Sequence, residues 1–156
     1  MSENTNCLVC EQNNHDKEPL LKVIWESSAW VLHHDLGSPV LGWLILQPRR
    51  CVQGVSKLTR QEASEFGSIS RDVALGMELI LNVPKVYSLS FGERVSHLHA
   101  HFVPRYPDMP EEYLAFGIGD LYRDTLAGLR EPPVTKDLDQ VICKLKKYFS
   151  ANPPLS

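Results

Sequence analysis

Three histidines alternate with apolar residues between positions 97 and 103. The stretch reads HLHAHFV and contains His97, His99 and His101. Successive side chains of an extended strand point to opposite faces, so this spacing predicts one row of imidazoles and one apolar row. Such a row can bind a catalytic metal ion, or one ring can attack as a nucleophile while its neighbours manage protons and phosphate oxygens. The spacing indicates a chemical site and leaves both uses open.

Cysteines form a second group of candidate ligands. Cys7 and Cys10 make a C-x2-C pair near the start of the sequence, the spacing found in half of many tetrahedral zinc sites. The chain has four cysteines, and we expect a reducing compartment, where thiolates that bind metal are favoured over disulfides. Two further ligands would complete the site.

Charge and hydropathy limit the expected partners. Lys and Arg number 16 against 19 Asp and Glu, a net charge of −3 that gives no broad attraction to nucleic acid or to a membrane surface. The apolar runs are too short to span a bilayer, and the first residues lack the pattern of an export signal. We therefore expect a cytoplasmic protein that binds no membrane and forms no stable complex with nucleic acid.

The elements that must position the histidines are five strands and two helices. A capping-box pattern at Thr59 opens a long amphipathic helix that ends near Pro84, and a second amphipathic helix is predicted over 134–150. Pro, Gly and Asp are frequent over 107–133, which predicts a surface loop that can cover a site. The strand candidates are 20–26, 29–35, 41–48, 86–91 and 97–104.

Residues 97–103 fit, at every position, the signature of the histidine-triad family, which is His-φ-His-φ-His-φ-φ with φ apolar. The chain resembles this family over about residues 7–106. The further marks are the early C-x2-C pair, an Asp before a Gly-containing turn, a Gly-led strand GWLILQPRR where the family often ends in Pro-Lys-Arg, and Pro104-Arg105 after the triad.

The resemblance implies a fold class and a domain organisation. The family fold is α+β, a five-stranded antiparallel sheet with one long helix and a C-terminal helix. It implies a single domain over 1–156, with a core over about 7–106, a loop-rich part over 107–133 and a C-terminal helix over 134–150. Family members are usually dimeric, so a homodimer is expected.

The resemblance also implies an enzyme, a nucleotide hydrolase or nucleotidyl transferase that acts at the α-phosphate of a nucleoside phosphate derivative. The substrate would be a dinucleoside polyphosphate, a nucleoside phosphoramidate or an adenylylated compound. His99 is the implied nucleophile and forms a covalent nucleotidyl-histidine intermediate. We expect its other ring nitrogen to give its proton to a fixed acceptor such as a backbone carbonyl. His101 is expected either to hydrogen-bond a phosphate oxygen or to assist the leaving group.

His97 is assigned by the resemblance to a structural zinc site. Family members with the early cysteine pair often hold zinc with those cysteines, the first triad histidine and a histidine after Pro-Lys-Arg. Cys51 occupies that last place here, which gives a Cys3His set of Cys7, Cys10, Cys51 and His97. The alternative is that Cys51 is a small buried apolar residue. No organic cofactor is implied.

Three residues are candidates for nucleotide binding. Asp35 stands where the family commonly accepts hydrogen bonds from ribose hydroxyls, although it could simply cap the turn that follows. Glu93 occupies a position that is often Gln in the family. Arg94 is either a phosphate contact or an ordinary surface charge. Strand alternation allows at most one of His33 and His34 to face the pocket.

Two other functions stay open at this point. Glu93 suggests a nucleotide-sensing module with slow or vestigial catalysis. A metal hydrolase that uses the histidine row as catalytic ligands is a further possibility, and a closed Cys3His set argues against it.

Overall fold

The protein has a five-stranded antiparallel sheet in a computed structural model that describes residues 7–13, 22–131 and 135–155. The strand order is β1-β2-β3-β5-β4, and the α+β fold predicted from the sequence is confirmed. The strands are β1 (Lys22–Glu26), β2 (Trp30–His34), β3 (Leu44–Pro48), β4 (Val86–Leu89) and β5 (Ala100–Pro104). The helices are α1 (Leu8–Asn13), α2 (Arg60–Leu81), α3 (Ile118–Leu126) and α4 (Thr135–Ala151).

One face of the sheet carries the main core. Because strand residues alternate between faces, every second side chain of β2, β3 and β5 points to the same side. That side packs against α2 and α4 and excludes water almost completely. Its buried strand residues are Trp30, Leu32, Leu44, Leu46, Ala100 and Phe102.

The opposite face carries the site. The register pairs His33 with Ile45, Ile45 with His101 and His101 with Leu89, so these side chains lie on that face. Its apolar part is a second buried cluster, which lies partly under the segment that follows β5. The buried members of this cluster are Val40, Trp43, Val103, Tyr113, Ile118 and Leu121.

The segment predicted as a loop over 107–133 contains a helix. α3 begins after Gly117, which provides no side-chain cap, and it spans only nine residues. Two short 3-10 turns, Glu111–Tyr113 and Ala115–Gly117, precede it. The Pro- and Gly-rich composition does not predict such a short helix. The helix forms because Ile118 and Leu121 are buried against the sheet. Residues 132–134 lie outside the described residues.

The start of the long helix is as predicted. The Thr59 hydroxyl accepts a hydrogen bond from the Glu62 amide at 3.1 Å, and the Glu62 carboxylate accepts one from the Thr59 amide at 2.7 Å. The helix ends at Asn82, which adopts the left-handed conformation with φ of 53°.

In the part of the chain that the structure describes, no helix combines the length and the apolar character needed to cross a membrane.

The strand predicted over 97–104 is shorter in the structure, and the three histidines do not form one row. β5 begins at Ala100, so His97 and His99 precede it. The pairing of β3 with β5 extends to Leu46 and Ala100, two residues before Pro48, and the Leu98 amide donates to the Val52 carbonyl at 2.6 Å. Proline has no N–H to continue the ladder, and the Pro48 carbonyl is occupied by side chains, so the two strands separate there.

Packing between α2 and α4 can be tested at two glycines of the same helix. A Cβ at Gly76 would lie 2.6 Å from Tyr148 Cε1 and 2.7 Å from Phe149 Cζ, whereas one at Gly67 would meet nothing within 4 Å. Gly76→Ala should lower the free energy of unfolding by about 1–3 kcal/mol through overpacking. Gly67→Ala should raise it by about 0.5–1 kcal/mol, since alanine favours the helix. Urea unfolding measures both, and equal stabilisation by the two variants would contradict the packing described.

Candidate functional site

Four predicted metal ligands meet beyond the end of β3 and before the start of β5, two inner strands of the sheet. The ligand atoms of Cys7, Cys10, Cys51 and His97 all lie within 4.8 Å of one another. Cys7 and Cys10 come from the start of the chain and from α1, while Cys51 follows β3 and His97 precedes β5. We call these four residues the Cys3His cluster.

The geometry of the cluster fits a tetrahedral zinc ion. Cys7 Sγ and Cys10 Sγ lie 3.4 and 3.5 Å from His97 Nδ1. A tetrahedral site with Zn–S of about 2.3 Å and Zn–N of about 2.05 Å separates sulfur from nitrogen by about 3.6 Å. The His97 Nε2–H donates to the Pro48 carbonyl at 2.9 Å, so the lone pair of Nδ1 faces the sulfurs.

Electrostatics favour a cation at the cluster. Burial and the neighbouring thiols of Cys51 and Cys7 raise the pKa of Cys10 to about 12. Ionised thiols so close together repel one another unless a positive ion neutralises them. The donor set, its spacing and its charge therefore suit zinc.

A cavity of about 370 Å³ lies beside the cluster on the site face of the sheet. Most of its polar lining comes from β2, β3 and the triad, and one phenol comes from α3. Its polar and titratable lining residues are His33, His34, Asp35, Gln47, His99, His101 and Tyr122. Both His33 and His34 line the cavity, so the prediction that at most one of them faces it is wrong.

His99 has one ring nitrogen bound to the backbone. Its Nδ1 lies 2.7 Å from the His97 carbonyl. A carbonyl oxygen only accepts hydrogen bonds, so Nδ1 carries a proton, and in the neutral form of the ring the lone pair lies on Nε2. The structure thus contains a backbone acceptor of the kind that the resemblance led us to expect.

His101 is held by a tryptophan. Trp43 Nε1–H donates to His101 Nδ1 at 3.0 Å, and the two rings meet edge to face. The His101 ring centroid lies 5.1 Å from that of His99. Burial, with a smaller contribution from the charge of His99, lowers the pKa of His101 to about 4. His101 is therefore neutral near pH 7.

The predicted nucleotide-binding residues separate into two groups. Asp35 lines the cavity, its pKa is raised by burial, and its Oδ1 accepts a hydrogen bond from the Gly37 amide at 3.0 Å. Glu93 and Arg94 are exposed on the loop before the triad. The residue of that loop that lines the cavity is Val95. The structure brings Asp35, His99 and His101 to one cavity and leaves Glu93 and Arg94 outside its lining.

Sequence reasoning missed a buried polar chain that links α1 to the cavity. His33 Nε2 lies 3.2 Å from Gln47 Oε1, the Gln47 amide donates to Asn13 Oδ1 at 2.8 Å, and the Asn13 amide donates to the Pro48 carbonyl at 3.3 Å. Alternation along β3 could have placed Trp43 and Gln47 on the face of His101. Asn13 and Tyr122 come from short helices that no sequence pattern revealed.

Comparison with known proteins gives matches at the level of structure. No family model and no curated protein matches this sequence. A hypothetical histidine triad nucleotide-binding protein from Sulfolobus tokodaii aligns with a TM-score of 0.70 at 14% identity, over 93% of each chain. A Zn-bound histidine triad family protein from Mycobacterium smegmatis aligns with a TM-score of 0.67 at 16% identity, over 94% of this chain and 97% of that one.

A third solved structure agrees with the first two. A HIT family protein from Bacillus anthracis aligns with a TM-score of 0.59 at 21% identity, over 81% of this chain and 99% of that one. At such low identities these likenesses establish the fold, and they confirm the resemblance seen in residues 97–103 at that level. The chain therefore has the histidine-triad fold.

Proposed function

We propose that this chain is a nucleotide hydrolase or nucleotidyl transferase that acts at the α-phosphate of a nucleoside phosphate derivative. The observation that carries the proposal is the state of His99, whose Nδ1–H is bound to the His97 carbonyl while Nε2 keeps a lone pair beside a cavity. A fixed neutral imidazole is a competent nucleophile at phosphorus. A cavity of about 370 Å³ has the size of a small-molecule site.

The proposed reaction passes through a covalent intermediate. The lone pair of His99 Nε2 attacks the α-phosphorus, an N–P bond forms, and the bond to the leaving group breaks with its electron pair leaving on that group. The His97 carbonyl stabilises the positive charge that develops on the ring, because its hydrogen bond from Nδ1–H strengthens as the charge grows. Water or another acceptor then attacks phosphorus, the N–P bond breaks, and neutral His99 is regenerated.

The other candidate residues are assigned to binding. His101 lies beside His99 and would contact the phosphoryl group. The Asp35 carboxylate would accept hydrogen bonds from the ribose hydroxyls, which it can do while Oδ1 also binds the Gly37 amide. Glu93 and Arg94 would act from the rim, where the charge of Arg94 opposes the rise in the pKa of Tyr122 in the cavity wall.

We propose zinc as the ion of the Cys3His cluster, with a structural role. Four protein ligands leave no open position for water or substrate, so such an ion fixes ligands and activates nothing. It would join α1 to the segments that follow β3 and precede β5. Zinc at this position would also hold the His97 backbone, whose carbonyl accepts the His99 proton.

Location in the cytoplasm and assembly as a homodimer belong to the same proposal. Thiols that bind metal need a reducing compartment, and three of the chain's cysteines meet in the cluster. β4 is an edge strand of the described sheet, and an edge strand pairs readily with a second copy. The mass of a monomer in light scattering would contradict the dimer.

The two triad histidines that line the cavity should differ in their effect on rate. His99→Ala should lower kcat by about 10⁴-fold or more, since the nucleophile is lost, whereas His101→Ala should lower it by about 10²–10³-fold. Hydrolysis of a panel of dinucleoside polyphosphates, phosphoramidates and adenylylated compounds measures both, with circular dichroism as the control for folding. Equal effects of the two substitutions would contradict the roles. Slow turnover of every compound together with tight binding of a nucleoside monophosphate would favour the sensing module instead.

Zinc binding should depend on Cys51 and not on the exposed cysteine of α4. Cys51→Ala should weaken zinc binding by more than about 100-fold, because removing even an outer hydrogen-bond partner of a metal ligand costs about 10–100-fold. Cys143→Ala is the matched control, since Cys143 is exposed and lies outside the cluster. Competition with a chromophoric chelator measures the affinity. If Cys51→Ala bound zinc with unchanged affinity, Cys51 would not be one of the zinc ligands.

The role of Asp35 should appear as a preference for ribose. Asp35→Asn should lower kcat/KM for a ribonucleotide substrate by about tenfold or more, the usual cost of losing a hydrogen bond to a charged group. In the unmodified protein, a 2′,3′-dideoxy substrate should show a loss of kcat/KM as large as the loss that Asp35→Asn causes with the ribonucleotide. Using the dideoxy substrate with Asp35→Asn should lower kcat/KM no further. Asp108→Asn, an exposed carboxylate outside the cavity lining, is the control. An additive loss in Asp35→Asn would show that the carboxylate does not bind these hydroxyls.

A further inference from the structure

The hydrogen bond between Trp43 and His101 fixes which ring nitrogen of His101 carries the proton. The indole N–H only donates, so at 3.0 Å the His101 Nδ1 must accept and hold its lone pair toward Trp43. A neutral imidazole has one N–H, which must then lie on Nε2. His101 is thus a hydrogen-bond donor through Nε2.

The same contact prevents His101 from acting as an acid. A protonated imidazole carries hydrogen on both nitrogens, so its Nδ1–H would oppose the Trp43 N–H across 3.0 Å. Trp43 cannot turn away easily, because it is only 3% exposed and packs in the second buried cluster with Val103 and Leu121. The low pKa of His101, caused chiefly by burial, agrees with a ring that stays neutral.

The other titratable groups of the cavity are engaged elsewhere. His33 lies against the Gln47 amide oxygen through Nε2 and against the His34 carbonyl through Nδ1. His34 donates to the Asp35 carbonyl and accepts from the Gly42 amide. Asp35 accepts from the Gly37 amide. The Tyr122 phenol, whose pKa is raised by burial, stays neutral and is a weak acid.

We propose that Trp43 is a positioning residue that makes His101 a neutral Nε2–H donor to a non-bridging phosphoryl oxygen, and that the substrates are therefore anhydrides of the α-phosphate. The substrate class rests on the proposed function. When the P–O bond of an anhydride breaks, its electron pair leaves on a phosphate or carboxylate oxygen, which is a stable anion and needs no proton. The nitrogen of an alkyl phosphoramidate needs a proton as the P–N bond breaks, and His101 does not supply one.

The test uses the full zinc-loaded chain and two tryptophan variants. Trp43→Phe removes the indole donor beside His101. Trp30→Phe removes a similar buried donor, which bonds to Glu65 on the opposite face of the sheet. Long-range ¹H–¹⁵N NMR at pH 7 reports which nitrogen of His101 carries hydrogen, and steady-state kinetics with a dinucleoside triphosphate and a nucleoside alkyl phosphoramidate report the substrate class.

The unmodified protein and Trp30→Phe should show the Nε2–H form of His101, whereas Trp43→Phe should shift its ¹⁵N signals toward a mixture of forms. Trp43→Phe should lower kcat for the triphosphate by about 2–10-fold, the cost of one neutral hydrogen bond, with KM little changed. The triphosphate should exceed the phosphoramidate in kcat/KM by about 10²-fold or more, the typical contribution of an acid catalyst that is missing here.

Distinct results would overturn each part. A His101 that is charged, or that carries hydrogen on Nδ1, in the unmodified protein would refute the role of Trp43, as would equal spectra of the two variants. Similar kcat/KM values for the triphosphate and the phosphoramidate would refute the substrate class. Failure to cleave these two compounds and every other member of the panel of dinucleoside polyphosphates, phosphoramidates and adenylylated compounds would refute the proposed function, while the NMR result would still decide the role of Trp43.

Discussion

The hydrogen bond from His97 Nε2–H to the Pro48 carbonyl, 2.9 Å long, is the constraint on which the site depends. It turns Nδ1 toward the thiols of Cys7 and Cys10. It also occupies the carbonyl that would otherwise continue pairing between β3 and β5, so the chain leaves the ladder before Ala100. The backbone carbonyl of the same histidine then accepts the Nδ1–H of His99. One residue therefore links the Cys3His cluster to the proposed nucleophile.

The sheet separates stability from chemistry. Its core face, packed against α2 and α4, is apolar and closed, whereas the site face combines an apolar cluster with buried polar groups. Hydrogen bonds on the site face hold several rings and amides in place, as in the chain from His33 through Gln47 to Asn13. Buried polar groups tolerate only one arrangement when all of them are satisfied. This rigidity suits the proposed reaction at phosphorus, which needs its side chains held in position.

Much of the fold follows from patterns that the sequence shows directly. Period-two apolar runs and the Thr59 capping box reveal the five strands and α2, because local preference and burial agree there. The Cys3His cluster could be anticipated, since the C-x2-C spacing indicated Cys7 and Cys10 and the resemblance implied Cys51 and His97. The shorter β5 could not, because it results from the Pro48 carbonyl binding side chains that are distant in sequence.

Partners that come from irregular segments escaped prediction for a similar reason. Tyr122 lies in a helix that exists because two of its residues are buried on the sheet, and Asn13 ends a helix of six residues. Trp43 is one of three tryptophans in the chain, and only the three-dimensional structure shows that its N–H meets His101. Such contacts depend on tertiary structure and carry no periodic signal.

As the proposed nucleophile, His99 must bond to phosphorus during turnover. Rapid acid-free quenching of the protein with a dinucleoside polyphosphate, followed by intact mass measurement and peptide mapping, detects that bond. We expect a transient mass increase of one nucleoside monophosphoryl group, located on His99 and absent from His99→Ala. An adduct on a different residue, or product formation with no adduct at any time in the burst, would contradict it.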